Sequence, residues 1–147
     1  MKKNYELSFQ TELFKKLYKG EKVLRLFVSN KNNKNEIFYG DGIVFRSCNK
    51  PLIDKLISQD STITINLVDG YFAAKISGDL NIGTEKRKKM ITCLESENNL
   101  AYVCTKYLNY FEEDSNFFIA DEYSVILVSG GGGETIKGLI FPYIVKK

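Results

Sequence analysis

The stretch GDGIVFRSCNKPLIDKL, residues 40–56, decides how the chain is read. Asp41-Gly42 tolerates the positive φ of a tight hairpin, so YGDG predicts a turn between strands at Glu36–Tyr39 and Ile43–Ser47. Pro51 belongs in a helix's first turn, where a missing N–H costs nothing, and predicts a short helix from Leu52 to Ile57 carrying Lys55. A strand end followed by a helix start offers free N–H groups, and Lys55 adds a cation. Whether that lysine meets a phosphate or only water is the question the stretch raises.

Upstream, SFQTELFKKLYKG places Phe9, Leu13, Leu17 and Phe14 on one side of a helix, with Ser8 as N-cap and Gly20 as C′ stop. KVLRLFVSN, residues 22–30, is strand-forming, and the polar KNNKNE follows. Downstream, STITINLVD alternates, with Ile63, Ile65 and Leu67 opposed to Thr62, Thr64 and Asn66, as in a half-buried strand. YFAAKISGDLNI reads as another strand, in which Gly78 predicts a bulge or a close backbone approach. Thr84 caps a predicted helix through EKRKKMITCLES. NNLAYVCTKYLNYF is predicted as a second helix, because Leu100, Val103, Cys104, Tyr107, Leu108 and Phe111 fall at helical spacing. NFFIADE, YSVILVSGGGG and TIKGLIFPYIVKK predict further strands. The sum is about seven strands and four helices with mostly hairpin-length connections. It predicts one α+β domain over residues 1–147, a mainly antiparallel small β-barrel flanked by helices.

Composition sets the limits on function. Hydrophobic residues at 44% and charged residues at 27% suit a globular chain, and a net charge of +3 argues against nucleic acid as a tight partner. No apolar run approaches the ~20 residues of a membrane helix, and no signal-peptide core follows the N-terminal lysines. Cys48, Cys93 and Cys104 are widely spaced without a CxxC pair, which predicts free thiols and a cytoplasmic location. The chain has no histidine, which removes the usual general base, the Ser-His and Cys-His nucleophile pairs and the commonest zinc ligand. No catalytic residue is assigned, and no metal is expected.

The ordered segment from about Tyr39 to Met90 resembles the FMN-binding split-barrel family, the pyridoxamine-phosphate-oxidase-like and nitroimidazole-reductase-like proteins. The features that carry it are Asp41-Gly42, the strand Ile43–Phe45, Ser47, Lys55, the strand Ile63–Val68 and Ile76-Ser77-Gly78. The C-terminal SVILVSGGGGETIKGLIF is similar more faintly. The resemblance implies a homodimer that binds FMN, with Ser47 and Lys55 holding the phosphate, and an FMN-dependent oxidoreductase whose redox step the flavin supplies. Where the family carries an extra strand and an arginine pair, this chain has KNNKNEIF and no arginine. A second reading is therefore a non-enzymatic binding protein, encoded by a phage or mobile element, that blocks a host factor or sequesters a small ligand.

Other constellations read more plainly. Lys86, Arg87, Lys88 and Lys89 would spread around a helix as a solvated face. SGGGGE, Ser129–Glu134, lacks the lysine–hydroxyl pair of a phosphate loop and reads as a hairpin turn. Glu112, Glu113 and Asp114 are consecutive and point apart, as in a helix-ending loop. Tyr71, Phe72, Tyr107 and Tyr110 are the candidates for a dimer seam.

Overall fold

The computed structural model describes residues 4–29, 36–47, 52–57, 61–68, 70–82, 89–130 and 136–144. The described residues form a β-rich α+β structure of ten strands, one α-helix and two short 3₁₀ helices. They fall into two compact units, Met1–Leu67 and Val68–Lys147. Among them, no helix is long and apolar enough to cross a membrane. Pro51, Cys48, Lys86, Arg87, Lys88 and the glycines at 131–133 lie outside the described residues.

The first unit opens with α1, Tyr5–Tyr18, which starts one turn earlier than the sequence predicts. Asn4 rather than Ser8 is the N-cap, and its side chain accepts from Leu7 N–H, satisfying one of the free donors of the first turn. The helix buries Phe9 and Leu13, and Gly20 closes it at φ +79°. Strands β1 (Leu24–Ser29), β2 (Glu36–Gly40), β3 (Val44–Arg46) and β4 (Thr62–Asn66) lie in the order β4-β1-β2-β3. The predicted YGDG turn is present. Asp41 Oδ1 accepts from the N–H groups of Ile43 and Val44, and Gly42 has φ +102°. β1 pairs antiparallel with β2 but parallel with β4, in the register Leu26 to Ile63 and Val28 to Ile65. To reach β4 from β3 the chain must pass over β2 and β1, and the Leu52–Leu56 3₁₀ helix lies on that crossover.

The second unit is fully antiparallel. Its strands are β5 (Phe72–Ile82), β6 (Lys89–Glu95), β7 (Leu100–Cys104), β8 (Asn116–Ile119), β9 (Ile126–Ser129) and β10 (Ile136–Ile140), ordered β10-β9-β8-β5-β6-β7. β5 joins two ladders: Phe72–Ala74 pair with β8, whereas Lys75–Ile82 pair with β6. Every residue of β9 is buried, as expected for an interior strand with both faces covered. Among the described residues, the terminal strands of the run do not pair with each other within either unit.

Two predicted helices are strands. The segments assigned to helices at EKRKKMITCLES and NNLAYVCTKYLNYF contain β6 and β7, paired with Thr92 opposite Val103 and Leu94 opposite Ala101. Ile91, Thr92, Val103 and the aromatic Tyr102 favour a pleated surface, and the β5 and β7 ladders outweigh a helical spacing that short apolar runs share with strands. Helical geometry returns only at Thr105–Tyr110, a 3₁₀ helix. The crossover helix is likewise 3₁₀, not α.

The glycines supply a stability test. A Cβ on Gly40 would collide with the Val44 carbonyl oxygen and the Phe45 ring, whereas one on Gly78 meets nothing within 4 Å. Gly78 therefore marks the β5 bulge, between Ile76 and Gly78, and no close approach. Gly40→Ala should cost about 1–3 kcal/mol in urea unfolding through overpacking. Gly78→Ala should change stability by less than about 1 kcal/mol. Equal midpoints for the two variants would contradict the packing described at the hairpin.

Candidate functional site

The corner singled out by the sequence lies within the first unit. Ser47 directly follows β3 and is half-buried, while Arg46 before it is buried. Lys55 stands in the crossover helix between buried Ile53 and buried Ile57, and is itself exposed.

The polar chemistry of this region centres on the preceding residue, Asp54. Its Oδ1 accepts from Arg25 Nε at 2.7 Å and from the Tyr39 hydroxyl at 2.9 Å. Arg25 also donates to the Asp54 carbonyl at 3.1 Å and to Thr62 Oγ1 at 2.9 Å. The guanidinium on β1 thus ties the crossover to β4 through Thr62, and the Asp54 carboxylate ties it to β2 through Tyr39. The Arg25 side chain is only 13% exposed and that of Asp54 43%, so the pair is partly solvated.

The titration behaviour follows from these contacts. Arg25, then Tyr39, holds the Asp54 carboxyl below the usual carboxylate range. Burial, reinforced by Asp54, pushes the Tyr39 hydroxyl up to about 12.

Among the described residues the corner holds the exposed Lys55 ammonium, with half-buried Ser47 and buried Arg46 at the end of β3. Arg25 is committed to Asp54 and Thr62. A five-residue 3₁₀ helix is also too short to build the aligned dipole of a phosphate site. The described residues do not form a built phosphate cradle for FMN. The sequence reading missed the Arg25–Asp54–Tyr39 cluster. Its one signal was an arginine in the middle of the apolar run VLRLFV, which demands a partner wherever it is buried.

The second unit carries two further features. An open cleft of 320 Å³ is lined by Asn98, Asn99, Leu100, Asp121, Glu122 and Tyr123. Asp121 spends its carboxylate on the local turn, accepting from the N–H groups of Tyr123 and Ser124 and from the Ser124 hydroxyl. Those bonds, the Tyr123 N–H first, hold its carboxyl below the usual range.

The β5–β6 hairpin is the other feature. It exposes Phe72, Ile76, Leu80 and Met90, each between 47% and 58%. Among the seam candidates Phe72 alone is exposed: Tyr107 is buried, Tyr110 half-buried, and half-buried Tyr71 donates to the Val125 carbonyl at 2.6 Å. Glu112 pairs with Lys137 at 2.8 Å. Cys93 and Cys104 are free thiols.

No family model, curated protein or solved structure matches the chain.

The Asp54 cluster has a pH signature. A depressed carboxyl contributes stability fully above its unfolded value of 3.8, and that contribution is lost as pH falls through the lower folded value. Raised Tyr39 contributes fully below its unfolded value of 10.0 and loses it as pH climbs towards about 12. Asp54→Asn should cost about 1–2 kcal/mol at neutral pH, the figure for a charged hydrogen bond reduced for partial solvation. The gap from the parent should narrow in urea titrations carried out in acid. A pH-independent gap would show that the ion pair is not what Asp54 contributes.

Proposed function

We propose that the protein is a non-enzymatic binding module whose contact surface is the β5–β6 hairpin. The observation that carries this reading is Phe72, Ile76 and Met90, large apolar side chains about half exposed on one face of the hairpin, with Leu80 exposed on the other. Clustered apolar exposure of this kind marks surfaces that partners cover. The sequence joining the two strands holds Lys86, Arg87 and Lys88, with Lys89 opening β6. A partner that is apolar and acidic would match both the exposed side chains and the charge of this sequence. A chain without histidine suits binding better than acid–base or nucleophilic chemistry. Blocking a host factor or capturing a small ligand are both tasks for such a surface.

One observation favours the flavin reading. A hydroxyl residue, Ser47, follows a strand, and the next helical turn presents an exposed lysine, Lys55, in the order the split-barrel resemblance requires. On that reading the strands close as a barrel, two copies assemble and FMN supplies the oxidoreductase chemistry.

Two measurements separate these readings. Freshly purified protein should be colourless and take up no added FMN. A yellow protein in which Lys55→Ala weakens FMN binding by about tenfold or more would instead support the flavin site, since a charge-assisted contact contributes about 1.5–3 kcal/mol. For the hairpin, Ile76→Asp combined with Met90→Asp should abolish capture of a host protein while leaving the thermal melt unchanged. Capture that survives both substitutions would remove the hairpin from the binding surface.

A further inference from the structure

β4 is the edge of the first unit's sheet: one side pairs with β1, and among the described residues no strand pairs with the other. Edge strands are normally guarded by charge, proline or a bulge. Here the run Ser61–Val68, STITINLV, contains no charged residue and no proline. The β1–β4 register shows no shift.

Burial along one face of the sheet falls off towards this edge. Phe38 on β2 is 1% exposed, Leu26 and Val28 on β1 are 0% and 3%, yet Ile63 and Ile65, next in the same row, are only half-buried. On the opposite face Thr64 and Asn66 are exposed. The apolar row thus runs on to an unguarded edge where its cover stops.

The strand is also complementary to itself. In an antiparallel pair centred on Thr64, Thr64 faces its own copy, Thr62 faces Asn66, and Ile63 faces Ile65. Polar residues then meet polar ones on one face and isoleucines meet isoleucines on the other. A two-fold axis normal to the sheet generates this pairing and leaves both faces continuous. We infer that β4 is a homodimerisation edge, at which two copies of this chain join their first-unit sheets antiparallel about Thr64. The inference rests on β4 alone, and neither the hairpin surface nor the flavin reading enters it.

Sedimentation of the full chain should give a dimer of about twice the 16.8 kDa chain mass. Thr64→Lys sets two like charges directly opposite each other at the axis and should return the protein to monomer. Its circular dichroism should stay that of the parent, because Thr64 is exposed. Thr64→Cys should form, under mild oxidation, a covalent dimer whose disulfide maps by peptide mass spectrometry to position 64 of both copies, since facing strand residues lie within disulfide reach. A monomer at all accessible concentrations would overturn the inference. So would a dimer that withstands Thr64→Lys and yields no crosslink at position 64, or a monomer that takes up a foreign strand on this edge.

Discussion

The first unit depends on one contact, the guanidinium of Arg25 against the carboxylate of Asp54. An arginine at the second position of β1, largely buried, costs free energy unless its charge and donors are met. Asp54 meets the charge, and its carbonyl and Thr62 take two further N–H groups. Arg25's partners come from the crossover and, through Thr62, from β4, while Tyr39 on β2 donates to Asp54. Strand order requires the crossover to pass over those same strands. The ion pair therefore specifies more than it stabilises. Half-solvated, it contributes little net energy, but it ties the Leu52–Leu56 turn of the crossover to β1 and, through Thr62, to β4.

The second unit uses a different device. β5 is longer than its partners, and it changes partner between Ala74 and Lys75. The bulge between Ile76 and Gly78 follows directly, and an extra residue at that point increases local twist and bends the strand. A side-chain chain from Asp79 through Thr92 to Thr105, at 2.9 and 2.7 Å, then links β5, β6 and the 3₁₀ helix after β7. β5 beyond Ala74 has β6 as its strand partner among the described residues, which leaves Ile76 and Leu80 outside the core. Exposed apolar residues here follow from the length of the strand rather than from a packing defect.

Local features were legible in the sequence and long-range ones were not. The Asp41-Gly42 turn, the alternation of β4, the helix end at Gly20 and the bulge at Gly78 each depend on a few neighbouring residues, and each is present. β6 and β7 failed as helices because Leu100, Val103, Cys104 and Tyr107 satisfy a helical period while also fitting a ladder, and only the ladder's other strand decides. The parallel β1–β4 pair joins residues whose separation carries no local signal, and so does the Arg25–Asp54 bond, which spans 29 positions. For the candidate site, the sequence pointed to Lys55, which is exposed. The cation that organises the region is Arg25 on a distant strand, recognisable only as a charge misplaced in an apolar run.

The same reasoning distinguishes β4 from β7 as sheet edges. β7 is the last strand of its run, but the Tyr143 N–H donates to the Tyr102 carbonyl at 2.7 Å, so the C-terminal segment already covers part of that edge. β4 has no such cover among the described residues, although its β-branched, uncharged sequence is the more adhesive of the two. An edge of that composition is a hazard unless something meets it, because unpaired N–H and C=O groups beside half-covered isoleucines invite any extended chain. The crossover held by Arg25 and Asp54 is what delivers β4 to this position. The Arg25 contact to Thr62 thus lies on the strand that is left facing outward.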